Sequence, residues 1–78
     1  REMASDFGKL GIRVNAIAPG EITTNILSPD SETAILPQIP LGRFGNATEV
    51  ADTIFFLCSD QAQYLNGSEI HVNGGQHV

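Results

Sequence analysis

The chain has 78 residues, about half the length of a typical domain, so only a modest core is available to it. Four Lys and Arg against nine Asp and Glu give a formal net charge of −5, which excludes a nucleic-acid partner, because phosphate backbones need clustered cations. One cysteine, Cys58, excludes an internal disulfide. No run of about 18 apolar residues spans a membrane. Arg1-Glu2-Met3 opens no signal peptide, and the expected setting is reducing and cytoplasmic.

Residues 1–7 read as the last turns of a helix, with Met3 and Phe7 four apart on one face. No N-cap precedes them, as expected of a piece cut from a longer chain. Gly8 or Gly11 supplies the left-handed residue that ends the helix. Residues 12–18, Ile-Arg-Val-Asn-Ala-Ile-Ala, read as a strand buried on both faces in a parallel sheet. Pro19-Gly20 ends it and turns the chain outward. Ligands of open α/β sheets bind beyond the carboxyl ends of the strands. The stretch from Pro19 to Thr24 is therefore the expected ligand-contacting segment.

Residues 21–40 read as loop, with Pro29, Pro37 and Pro40 and a short helix over residues 31–36. Residues 42–45 are a turn. Asn46 followed by Glu49 is a capping-box variant. It opens a helix over residues 47–58 whose Val50, Ala51, Ile54, Phe55, Leu57 and Cys58 make a broad apolar face. Asn66-Gly67 is a turn, and residues 68–73 form a second strand with Ile70 and Val72 on one face and Glu69 and His71 on the other. Strand, helical crossover and strand make a βαβ unit with parallel strands. Two strands rarely stand alone, so the first needs a neighbour on its other side.

Four segments carry a family likeness. Arg13-Val14-Asn15-Ala16-Ile17-Ala18-Pro19-Gly20-Glu21-Ile22-Thr23-Thr24 resembles the R-V-N-x-x-x-P-G-x-I/V-x-T segment of short-chain dehydrogenases/reductases. Pro40-Leu41-Gly42-Arg43-Phe44-Gly45 resembles their P-x-G/R-R-x-G turn. Glu49-Val50-Ala51, with Phe56-Leu57-Cys58-Ser59-Asp60, is similar to their E-I/V-A…F-L-x-S-D helix. Tyr64-Leu65-Asn66-Gly67 and Val72-Asn73-Gly74-Gly75 look like their Y-I/L-T/N-G…V-D/N-G-G ending. The resemblance runs through essentially the whole chain in order, and within the family it is nearest to 3-oxoacyl-(acyl-carrier-protein) reductases.

The resemblance implies the C-terminal βαβ portion of a Rossmann-type, doubly wound parallel α/β sheet. On that reading residues 1–78 are the last part of one NAD(P)-binding domain whose first two-thirds are absent. It implies NAD or NADP as cofactor, hydride transfer to or from a carbonyl or alcohol, and a small-molecule or acyl-thioester substrate. Pro19 and Gly20 match residues that let the backbone pass close to the cofactor. Ile22 matches the position whose backbone amide and carbonyl meet the nicotinamide carboxamide, and Thr24 a threonine whose hydroxyl bonds the cofactor. The bland alternative is an ordinary Pro-Gly turn with Thr24 as a helix cap. The resemblance also implies a homo-oligomer with two-fold contacts through the last helix and strand.

The chain holds no glycine-rich G-x-x-x-G-x-G turn and no Y-x-x-x-K pair, so no catalytic residue is assigned and these residues alone are expected to be inactive. A rival reading is a truncated, non-catalytic oligomerisation or interaction module. Glu21 departs from the family's aromatic or apolar residue and is expected in solvent. Asn15, polar within a strand, is expected to hydrogen-bond a neighbouring segment. Arg43 has either a carboxylate partner or solvent. His71, His77 and Cys58 lack metal-ligand spacing, and Cys58 is expected in the core.

Overall fold

The computed structural model describes residues 2–23 and 29–76. Its elements in chain order are α1 (Glu2–Gly8), β1 (Ala16–Pro19), α2 (Pro29–Ile35), a 3₁₀ turn (Leu36–Gln38), α3 (Ala47–Leu57), a second 3₁₀ turn (Asp60–Ala62) and β2 (Glu69–Val72). β1 and β2 pair in parallel, with Ala16 opposite Glu69 and Pro19 opposite Val72. α3 packs against β2, so strand, crossover helix and strand form the expected βαβ unit. Among the described residues no helix is long and apolar enough to cross a membrane.

The first strand is shorter than residues 12–18 and shifted toward its end. Upstream of Ala16 the ladder is replaced by side-chain and turn contacts. The Val14 N–H donates to Asn66 Oδ1 at 3.0 Å, and the Val14 carbonyl accepts from the Gly67 N–H at 2.8 Å. The Asn66 amide also donates to the Ala4 carbonyl at 3.0 Å, tying α1 to this corner. Gly11, at φ 79°, turns the chain out of α1.

Pro19 is the last residue of β1 rather than its breaker. The ladder bond at this end runs from the Gly20 N–H to the Val72 carbonyl at 3.0 Å. In a parallel ladder alternate residues of a strand bond the same neighbour, so Pro19's missing N–H lies on the edge away from β2. Proline costs this pairing nothing.

Asn15 has the expected neighbour. Its Nδ2 donates to the Leu65 carbonyl at 3.0 Å and its Oδ1 accepts from the Ser68 N–H at 3.0 Å. It binds the start of β1 to the turn that leads into β2. Arg13 supplies a tie that sequence reasoning missed. Its guanidinium donates to the Leu57 carbonyl at 2.9 Å and the Leu65 carbonyl at 3.2 Å, satisfying a carbonyl at the C-terminal end of α3.

The packed interior is small. Among the described residues, Ala4, Ile39, Leu57 and Ala62 are the buried apolar ones, and Gln76 is the buried polar one. Ile17 and Ala18 are only half-buried, because α3 covers one face of the two-stranded sheet. The broad apolar face expected of α3 is mostly in solvent: Phe55 is 78% exposed, Ile54 47% and Phe56 43%. Cys58 is exposed at the C-cap of α3, not in a core. Leu57 is the buried residue of α3, and Ile54 and Cys58 line a groove with Leu57 and Ile17 of β1.

Candidate nicotinamide-end turn and its relatives

The chain beyond β1 is held by two other segments. The first is the turn that ends β2. The Asn73 Oδ1 accepts from the Gly75 N–H at 3.0 Å, and its Nδ2 donates to the Gln76 carbonyl at 2.8 Å. Gly74 and Gly75 adopt φ values of 62° and 92°, the left-handed conformation this reversal requires. Gly20 lies directly on this turn. A Cβ built there would stand 2.7 Å from Asn73 Cβ, 2.9 Å from Asn73 Cα and 3.2 Å from Gln76 Oε1. Glycine is thus required by close approach rather than by an unusual φ.

The second segment is the turn before α3. Ile22 and Gly45 form an isolated parallel bridge. The Gly45 N–H donates to the Glu21 carbonyl at 3.0 Å, and the Thr23 N–H donates to the Gly45 carbonyl at 2.9 Å. Both bonds use the neighbours of Ile22 and leave its own groups out of the bridge. Extended backbone aims successive residues' groups to opposite edges, so the Ile22 N–H and C=O lie along the side away from Gly45. Those two groups are a donor and an acceptor at fixed separation, the set that recognises a primary amide.

Gly45 opens directly into α3 through Asn46. The Asn46 Oδ1 accepts from the Glu49 N–H at 2.9 Å, and Glu49 Oε1 accepts from the Asn46 N–H at 3.0 Å. This reciprocal capping box is the one anticipated from the sequence. Arg43 takes a carboxylate partner, and the partner is Glu49. Its two terminal nitrogens lie 2.8 and 2.7 Å from the two carboxylate oxygens. The Arg43 hydrogen bonds, and then the Asn46 N–H, hold the Glu49 carboxyl at about 2, well below the usual carboxylate range.

Pro19, Gly20 and Ile22 are therefore brought together on one turn at the carboxyl end of β1, where an α/β sheet binds ligands. Thr24 lies outside the described residues. Glu21 is half-buried rather than fully in solvent. His71 lies 3.5 Å from Glu69 on the outward face of β2, and His77 falls outside the described residues. Among the described residues no group of three His, Cys, Asp or Glu is placed to hold a metal ion. The segments that hold the turn, Gly45 and Asn73 to Gln76, were not singled out as site residues by sequence reasoning. The two turn motifs that contain them were the available signal.

A sequence model of the family described as enoyl-(acyl carrier protein) reductase matches residues 1–77. The chain belongs to the short-chain dehydrogenases/reductases. Protein FixR of Bradyrhizobium diazoefficiens is 59% identical over 78 residues, covering 100% of this chain and 28% of the relative. The 3-oxoacyl-(acyl-carrier-protein) reductase FabG of Staphylococcus epidermidis is 52% identical over 78 residues, covering 96% of this chain and 32% of the relative. A crystal structure of a short chain dehydrogenase from Bacillus anthracis superposes with a TM-score of 0.85 at 41% identity, over 99% of this chain and 30% of that one. The chain thus spans about a third or less of the length of these members of the family. The match with a solved family member makes the fold α/β and Rossmann-type.

Proposed function

We propose that these residues form the nicotinamide-end wall of the NAD(P) site in an oxidoreductase that moves hydride between the cofactor and a carbonyl or alcohol. The observation that carries this reading is the Ile22–Gly45 bridge, which keeps the Ile22 N–H and C=O out of intrachain pairing with the turn before α3. A carboxamide needs one acceptor and one donor side by side, and Ile22 offers both. Pro19 and Gly20 bring the backbone to that position, and Thr24 adds a hydroxyl. The bound cofactor supplies the hydride. The residues of this chain bind and orient its carboxamide end and exclude water from one side.

The 3-oxoacyl-(acyl-carrier-protein) reductase among the relatives supports a 3-oxoacyl thioester as the substrate class. The proton-transferring groups lie outside these 78 residues, so the piece alone does not turn over reduced cofactor. Phe55, at 78% exposure on α3, is an apolar side chain that a second copy would cover, in keeping with a two-fold homo-oligomer.

The test is cofactor binding to the full-length enzyme encoded around this segment. Reduced NAD or NADP is expected to shift the backbone amide resonances of Ile22 and Thr23, and substitution of Ile22 by proline to abolish that binding. A cofactor that binds with these amides undisturbed overturns the reading.

A further inference from the structure

The Ile22 edge is set by two peptide groups, and each is gripped from behind. The first is the Phe44–Gly45 peptide. Its N–H donates to the Glu21 carbonyl at 3.0 Å, while its oxygen accepts from the Arg43 guanidinium at 3.1 Å. The second is the Gly45–Asn46 peptide. Its oxygen accepts from the Thr23 N–H at 2.9 Å, while its N–H donates to Glu49 Oε1 at 3.0 Å. The two gripping side chains also hold each other, through the paired contacts of 2.8 and 2.7 Å. The network is closed: Arg43 fixes one peptide, Glu49 fixes the next, and a fork-on-fork pair locks the two side chains.

Planar peptides make this arrangement consequential. Holding the oxygen of a peptide also fixes the direction of its N–H, because the group is rigid. Arg43 therefore aims the Gly45 N–H at Glu21, and Glu49 aims the Gly45 carbonyl at Thr23. A Cβ on Gly45 would stand 3.1 Å from Ile22 Cδ1, so the Ile22 side chain packs directly on this backbone. A surface ion pair is commonly of small consequence for stability. Here the pair is bidentate and each partner also holds backbone, which gives it a positional role.

We propose that Arg43 and Glu49 are positioning residues that fix the Ile22 backbone edge through the two peptide groups of Gly45. The proposal deepens the cofactor reading above and rests on it for its functional consequence. Neither side chain is assigned a contact with the cofactor. They set the direction of the groups that are.

The experiment uses the full-length enzyme with Arg43→Ala, Arg43→Lys and Glu49→Gln. Amide hydrogen exchange reads the bridge directly, and binding of NAD(P)H and of ADP-ribose reads its consequence. Arg43→Ala is expected to speed exchange of the Gly45 and Thr23 amides about tenfold, while the Ala16 and Gly20 amides in the β1–β2 ladder keep their protection. It is expected to weaken NAD(P)H several-fold and leave ADP-ribose, which lacks the nicotinamide, unchanged. Lysine, a point charge without the fork, rescues only part of the effect. Glu49→Gln follows Arg43→Ala in the amides. Unchanged Gly45 and Thr23 amides, or equal loss at Ala16 and Gly20, overturns the proposal. If the exchange pattern is as expected but the unsubstituted enzyme binds no NAD(P)H, the positioning role stands and the cofactor reading falls.

Discussion

Substituting Gly20 by alanine puts the packing of the candidate turn to a quantitative test. Gly20 has no unusual φ, so alanine is compatible with its backbone conformation. On conformational grounds alone the substitution should stabilise by roughly 0.4–1 kcal/mol, through the lower entropy of the unfolded chain. The tertiary structure reverses that sign. The new methyl would lie 2.7 Å from Asn73 Cβ and 2.9 Å from Asn73 Cα, far inside ordinary contact, and the Cα belongs to backbone. Relief requires either the end of β1 or the Asn73 turn to move. The Asn73 turn is pinned by its own side-chain bonds at 2.8 and 3.0 Å, so it resists. Overpacking of this kind costs about 1–3 kcal/mol, which outweighs the entropic gain. Urea denaturation of the full-length protein should show a lower midpoint with the same slope. Gly42→Ala is the control: it has φ 76° and nothing within 4 Å, so it reports left-handed strain without a clash. A Gly20→Ala protein as stable as the parent, or more so, would refute the close-approach argument.

Three further outcomes follow from named contacts. Asn15→Leu removes both amide bonds and leaves the half-buried Ser68 N–H without its 3.0 Å acceptor, so a loss of about 1–3 kcal/mol is expected in the same denaturation experiment. Gln76→Met replaces a 3% exposed side chain whose Oε1 has no hydrogen-bond partner by an apolar group of similar length. Removing an unsatisfied acceptor should leave stability unchanged or raise it by about 1 kcal/mol, and a clear loss would show that this oxygen is bonded. The Glu49 carboxyl, held at about 2 by Arg43 and Asn46, is below its ordinary value of 4.5, so its contribution is present above 4.5 and is lost as pH falls toward 2. Carboxyl-carbon resonances should place its midpoint near 2 and show it rising in Arg43→Ala; a midpoint near 4.5 in the parent protein would remove the paired geometry.

Much of this chain was legible because its signals are local. Asn46 and Glu49 made the capping box that three-residue spacing predicts, and α3 ends at Leu57, one residue short of the expected boundary. The alternation of Ile70 and Val72 with Glu69 and His71 appears as the alternating burial of β2. The parallel pairing followed from strand, helical crossover and strand. Pro19 and Gly20 were legible as the end of the first strand because Pro-Gly closes an apolar run, whereas Ile22 was named only through the family resemblance. Four short motifs in order sufficed for the family.

Tertiary structure decided what these local patterns bond to. Residues 12–15 have the composition of a buried strand, yet the Val14 backbone bonds Asn66 and Gly67, the Ile12 N–H bonds the Phe7 carbonyl, and β1 begins at Ala16. Pro19 reads as a strand breaker until the ladder shows that its missing N–H falls on the far edge. Cys58 and Phe55 read as core by helical spacing, and within these 78 residues, about a third of the length of the relatives, nothing covers them. Arg43 had two possible environments on paper and has Glu49 as its partner in space. A sequence fixes each residue's chemistry and its period along the chain, whereas partners distant in sequence are chosen only when the crossover brings their segments within hydrogen-bond reach. The Ile22 edge is the clearest instance: its conformation depends on Gly45, more than twenty residues away, and on the two side chains that hold Gly45 in place.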